Sequence, residues 1–320
     1  MKEVTFIRQN IERWKATEKV VEQSNAQTPD RLADVYTEVT ADLAFSQTHF
    51  PNSRITIYLN NLASALHNEI YRNKKEKWSR IFTFWINEVP LTVYDARKEI
   101  RASFIIFMVS VAIGVLSQVS EPNFARQILG NGYVDMTLEN ISKGEPMAVY
   151  GGDDQTSSFL RITLNNVMVS FRCFAMGILT SFGTGYILLS NGVMVGAFQT
   201  FFYTHGVLRE SMLAIWLHGT LEIWSIIMAG AAGLALGNGW LFPGTYSRLE
   251  SFRRGAKRGL KILIGSVPIF IMAGFIEGFF TRHTEWPDAA RLSIILLSLL
   301  FIIFYYIYLP KKKSHGISKT

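Results

Sequence analysis

Long apolar runs constrain this chain more than any other feature. The first, Ala102 to Val119, has 18 residues without a charge, the shortest length that crosses a ~30 Å hydrocarbon core as a helix. Five more follow: Val167 to Leu189, Gly192 to Val207, Leu213 to Leu236, Ile262 to Phe280 and Leu292 to Leu309. Backbone polar groups in a bilayer must be satisfied within their own segment, so runs of this kind fold as helices. The sequence therefore predicts an all-α fold, a polytopic bundle of six transmembrane helices. Only 18% of the 320 residues are charged, below the quarter usual for soluble chains, and the charge is concentrated in the first hundred. One cysteine excludes an intramolecular disulfide framework and a Cys-rich metal site. The first residues, MKEVTFIRQNIERWK, lack the apolar core of a cleaved signal peptide.

The third run is short, and the turn signals Ser190-Asn191-Gly192 and His205-Gly206 bound it. They predict a tight connection between the second and third spans, with a re-entrant segment as the alternative. Counting Lys and Arg decides between the two. Residues 1–101 carry 15 cations and 13 anions, residues 120–161 carry 3 and 6, and residues 238–261 carry 6 and 1. The tail beyond Leu309 has four lysines and no acid. Six spans put every basic segment on the cytoplasmic side and the acidic loop outside, as the positive-inside rule requires. The expected organisation is a cytoplasmic or interfacial helical region at 1–101, a transmembrane domain at 102–309 with an outer loop at 120–161 and a basic cytoplasmic loop at 238–261, and a basic tail at 310–320. Both termini are expected on the cytoplasmic side.

Before the membrane, Leu32, Val35, Tyr36, Val39 and Leu43 recur at helical spacing, as do Ile55, Tyr58, Leu59, Leu62 and Leu66. Pro51-Asn52-Ser53 separates the two helices, and Asn52 or Ser53 can cap the second. The basic run Lys74 to Arg80 precedes Ile81-Phe82-Thr83-Phe84-Trp85-Ile86, which suits either a helix on an anionic leaflet or a solvated helix end. Thirteen acids in the same region leave no nucleic-acid footprint. In the outer loop, Tyr133 to Ser142 is expected to form a short amphipathic helix ending at Gly144.

Ionisable groups are scarce in the spans: Arg172 in the second, His218 and Glu222 in the fourth, Glu277 near the end of the fifth. His218 and Glu222 are four apart and share a helix face. With Asn165 and Asn166 they fall in the outer half of the bundle. Three uses are open: an Arg172–Glu222 or His218–Glu222 pair that fixes helix register, a polar cavity for a ligand or proton, or a metal site whose third ligand comes from His205, Glu277 or His283. No His-Glu-x-x-His is present, and no cofactor or metal is assigned from the sequence. Gly192 and Gly196, Ala229-Gly233-Gly237 and Gly274-Gly278 follow the small-xxx-small spacing that lets helices approach closely, within the bundle or between protomers.

Asn165-Asn166, Gly177, Gly183, Asn191-Gly192-x-x-x-Gly196, His218-Gly219-x-x-Glu222-Ile223 and Ala229-Gly230-Ala231-Ala232-Gly233, in that order, resemble the stage II sporulation protein M family over about residues 100–310. The family's usual proline before His-Gly is Leu217 here. The long N-terminal helical region resembles the version of the family found in bacteria that do not sporulate. The resemblance implies an integral inner-membrane protein. In spore formers it further implies a partner role beside a peptidoglycan hydrolase during engulfment. It marks Asn165, Asn166, Asn191, Gly192, His218, Gly219 and Glu222 as family positions. The expected function is a non-enzymatic scaffold, homo-oligomeric, that contacts membrane lipid and organises envelope or cell-wall remodelling partners. A transporter or channel using the polar cluster and a membrane-embedded metal-dependent hydrolase are the alternatives.

Overall fold

A computed structural model describes residues 2–23, 27–71, 79–150 and 155–317. Among the described residues all regular structure is helical. The chain divides into two units, residues 1–77 and 78–320.

The first unit holds three helices, α1 (Glu3–Glu22), α2 (Pro29–His49) and α3 (Arg54–Tyr71). Thr28 caps α2 by accepting from the Arg31 amide at 3.3 Å, and Pro29 opens the helix where no amide is needed. The Ser53 hydroxyl accepts from the Ile55 amide at 3.2 Å at the start of α3. Leu32, Val35, Val39, Ile55, Leu59, Leu62 and Leu66 form the core together with Phe6 and Trp14 of α1. Trp14 is fully buried, and its indole N–H donates to Asp42 at 2.8 Å, while Arg13 pairs with the same carboxylate.

The second unit begins with α4 (Ser79–Thr83), a π-turn at Phe84–Glu88 and α5 (Val89–Asp95). This stretch is tied to the membrane bundle, which is why the division falls near residue 77 and not at 101. Lys261 donates to Glu88 at 2.7 Å, Tyr305 donates to the Trp85 carbonyl at 2.7 Å, and Val89 fills the space beside Gly265. Most of the Lys74 to Arg80 run lies outside the described residues.

The bundle proper consists of α6 (Arg97–Ser120), then α7 (Phe124–Leu129) and α8 (Asn131–Ser142) in a loop, then α9 (Gln155–Ala175), α10 (Thr180–Thr204), α11 (Leu208–Leu241), α12 (Arg248–Phe275), α13 (Asp288–Ile303) and α14 (Leu309–Ile317). Five helical runs of the described residues are long and apolar enough to cross a membrane; one of them, 155–204, contains both α9 and α10. The contacts show that this run folds back on itself. Along α11, Gly237, Gly233 and Gly230 meet Ser181, Thr184 and Leu188 in turn, so α10 is antiparallel to α11. Asn166 and Cys173 of α9 meet Glu222 and Gly233 in the opposite sense. Six helices therefore traverse an all-α membrane bundle.

The reversal lies at residues 176–180, where a 3-10 turn ends at Thr180 with φ of 67°. This differs from the expected turn at Ser190-Asn191-Gly192, through which α10 runs unbroken. The polar side chains there are satisfied on their own helix: Ser190 and Asn191 both donate to the Ile187 carbonyl, at 3.0 and 2.8 Å. The true reversal is held by Thr184, which donates to the Cys173 carbonyl at 3.0 Å.

The 34-residue α11, ~51 Å long, is the central helix, and its stretch from Ile227 to Gly237 is buried throughout. α13 lies on the periphery and exposes Leu296, Leu297 and Leu300. Every small-residue pair expected from the sequence is used inside the chain. Gly192 and Gly196 lie against Ser110 and Val111 of α6, Gly233 and Gly237 against Thr184 and Ser181, and Gly274 and Gly278 against Thr163 and Phe159 of α9. At one end of the bundle the loop helices form a small core, with Ala125, Val134 and Met147 packed on Phe201, Phe202 and Ala214. The expected loop helix is α8, and Gly144, with φ of +78°, stops it. The opposite end gathers the cations: Arg258 pairs with Glu99 at 2.7 Å beside the Lys261–Glu88 pair.

Candidate polar site inside the helix bundle

His218 and Glu222 lie one turn apart on the face of α11 that looks toward α9 and toward the end of α12. α12 passes into a π-turn at Ile276–Phe280, in which the Thr281 amide donates to the Ile276 carbonyl at 3.0 Å. Glu277 and Thr281, four residues apart, share the face of this turn that looks toward α11, and such turns often mark functional positions. The His218 side chain is 5% exposed and that of Glu277 15%. His218 Nε2 is 3.7 Å from Glu277 Oε2. One ligand atom each from His218, Glu222 and Glu277 lie within 4.8 Å of one another.

Each member of this trio has a partner behind it. Asn166 of α9 donates its amide to Glu222 Oε1. His218 Nδ1 is 3.0 Å from the Thr281 hydroxyl, which itself donates to the Ile276 carbonyl at 3.4 Å. The hydroxyl oxygen is then the acceptor and Nδ1 carries the proton, an assignment made from the hydrogen-bond network. That tautomer leaves the Nε2 lone pair facing the carboxyl groups. From the loop, the Tyr150 ring sits 5.9 Å from the imidazole. Burial, followed by the nearby Glu277 carboxyl, pushes the Tyr150 phenol well above its ordinary value, so it stays neutral.

The structure thus gathers Asn166, His218, Glu222 and Glu277 and leaves the other sequence candidates elsewhere. Arg172 is exposed and makes no ion pair with Glu222. The reason is depth: α9 starts at Gln155, twelve residues before the expected start at Val167, so Asn166 reaches the level of Glu222. Arg172, six residues on, lies ~9 Å further along the axis and on another face. The expected His218–Glu222 ion pair is likewise replaced by a His218–Glu277 approach. Asn165 is exposed, and Asn191 is occupied on its own helix. At Gly219 an added Cβ would meet only Ile215, at 3.8 Å. His205 is bonded to the Phe201 carbonyl and His283 to Glu285, each away from the trio. Sequence reasoning missed Thr281 and Tyr150. The first follows Glu277 by one helical turn and was legible on that spacing; no local signal marks the second.

With this arrangement described, comparison with known families gives two matches. The family described as Stage II sporulation protein M matches residues 103–282, more than half of the chain. The chain belongs to that family. The family segment runs from α6 through the π-turn after α12, so it contains Tyr150, Asn166, His218, Glu222, Glu277 and Thr281, and excludes α13 and α14. Residues 4–72 match a second family, described as a domain of unknown function, DUF8413, and coincide with the three-helix unit. No curated protein and no solved structure matches the chain. Family membership makes this an integral membrane protein, in agreement with the apolar helices.

Proposed function

We propose that this protein is a non-enzymatic scaffold of the bacterial cytoplasmic membrane that organises envelope or cell-wall remodelling partners. The observation that carries the reading is the separate three-helix unit, which has its own core and its own family match and is joined to a bundle whose loop between α6 and α9 is also folded. A membrane protein that only had to bury a site would need neither surface. Orientation rests on charge. The basic end, with Arg258, Lys261 and the Lys311–Lys313 run, faces the cytoplasm, so both termini are cytoplasmic and the folded loop is external. Lipid contact is supported at that basic end by a cavity of about 810 Å3 lined by Phe104, Trp224 and Tyr306 together with Arg97, Arg101 and Lys311, a combination suited to an anionic phospholipid. Assembly into a homo-oligomer belongs to the same reading. Because the glycine stripes are used internally, its contacts run through exposed faces such as that of α13.

Cross-linking mass spectrometry and native electrophoresis on membranes of the host test this. The expected result is a complex heavier than the monomer, containing a peptidoglycan-remodelling enzyme cross-linked to residues of the loop or of the three-helix unit. A lone chain with no cross-linked partner, or ion or solute flux catalysed by the purified protein in liposomes, would refute it.

A further inference from the structure

We propose that His218, Glu222 and Glu277 bind one divalent transition-metal ion of the zinc class. The inference goes beyond the scaffold reading and does not depend on it. Three observations carry it. First, the atoms fit. In a tetrahedral zinc site with bonds of about 2.0–2.1 Å, neighbouring ligand atoms lie about 3.3 Å apart. The 3.7 Å between His218 Nε2 and Glu277 Oε2 needs only a few tenths of an ångström of adjustment, and the whole trio already lies within 4.8 Å.

Second, the ligands are oriented from behind. The Thr281 hydroxyl accepts from Nδ1–H and so presents the bare Nε2 lone pair to the site. Asn166 fixes Glu222 by donating to its Oε1, and the Glu222 carboxyl meets that of Glu277 across the site. Metal-binding imidazoles and carboxylates are characteristically fixed in this way, and such partners add about 10–100-fold to affinity. A histidine buried simply to fill space would not need its tautomer set toward two acids.

Third, the charge favours it. Two carboxyl groups drawn together inside a membrane bundle repel if both are ionised; their neighbours Asn166, Thr281 and Tyr150 are neutral, and Arg161 is the cation that acts on Glu277. A divalent ion balances both carboxylates at once. The donor set selects the class. Calcium and magnesium take six or more oxygens and seldom an imidazole, whereas one nitrogen and two carboxylate oxygens suit zinc and its first-row neighbours. Three protein ligands leave a fourth position for water.

The test uses the full chain without a purification tag, in nanodiscs, stripped with a chelator and titrated with zinc chloride by calorimetry. Elemental analysis gives the stoichiometry, and cobalt(II) absorption reports the geometry. Expected are one zinc per chain, a visible cobalt spectrum of a four-coordinate site, and loss of both in His218→Gln and Glu277→Gln. Should those variants fail to fold, Thr281→Val keeps all three ligands and is expected to weaken zinc binding about 10–100-fold. The proposal is overturned if the wild-type chain takes up no stoichiometric zinc. It is equally overturned if zinc binding persists unchanged in the folded His218→Gln/Glu277→Gln double variant, or if Thr281→Val leaves the affinity untouched. In the first case the carboxyl pair shares a proton and no metal is needed.

Discussion

Gly196 is the position where a single methyl group tests the bundle most directly. A Cβ built there would fall 2.2 Å from the Val111 carbonyl oxygen and 2.9 Å from the Val115 amide nitrogen. Both neighbours are backbone, so no side-chain rotation relieves the clash. α6 and α10 must separate by about 1 Å to restore ordinary contact, and the reciprocal approach of Gly114 to Val193 is lost with it. Overpacking of this kind costs about 1–3 kcal/mol. Alanine also favours helix over glycine by up to about 1 kcal/mol, which offsets part of the loss. Gly185 supplies the control, because it lies in the same helix and has nothing within 4 Å of a built Cβ. Gly185→Ala collects the propensity gain without the clash, so the difference between the two variants isolates the steric cost. We expect Gly196→Ala to be less stable than Gly185→Ala by about 1–3 kcal/mol, toward the upper end because the obstacle is backbone. Unfolding in mixed micelles, followed by circular dichroism against denaturing detergent, measures it. Equal midpoints for the two variants would show that the helices are not in backbone contact there, and the placement of α10 on α6 would be wrong.

Three further expectations follow from other parts of the chain. Asp42→Ala removes the acceptor of the buried Trp14 indole and the partner of Arg13, which should cost about 1–3 kcal/mol and speed hydrogen exchange in α1 and α2; unchanged exchange would contradict the packing of Trp14. The hydrogen bond from Lys261, ahead of the charges around it, holds the Glu88 carboxyl below its usual value. Its contribution is therefore complete above the unfolded pKa of 4.5 and lost as pH falls through the lower folded value. Thermal stability should then drop on acidification below 4.5, less so in Glu88→Gln; identical profiles would remove this pair from the docking of α5. Orientation is open to thiol labelling, because the single native cysteine, Cys173, is buried. An impermeant reagent should label Asn131→Cys from outside intact cells and Lys312→Cys only after lysis, and the reverse pattern would invert the topology.

Much of this protein was present in the sequence alone. Six apolar runs dictated six membrane helices, because hydropathy is a local sum and a bilayer admits few other folds. The 3.6-residue spacing of Leu32 through Leu66 dictated two helices of the three-helix unit for the same reason, one face needing burial. The i, i+4 spacing of His218 and Glu222 put both on one face wherever that face looked. What the sequence could not decide depended on contacts between distant residues. A polar triplet at 190–192 reads as a turn locally, yet its side chains are satisfied on the helix that contains them, while the actual reversal at 176–180 is held by Thr184 reaching back to Cys173. That shift in where α9 begins and ends moved Asn166 to the level of Glu222 and carried Arg172 out of reach. The choice of Glu277 over His205 and His283 turned on the rotation of α12 and on a π-turn that no residue type announces. Depth and rotation of one helix against another come from side-chain packing summed over the whole bundle, and only the tertiary structure performs that sum.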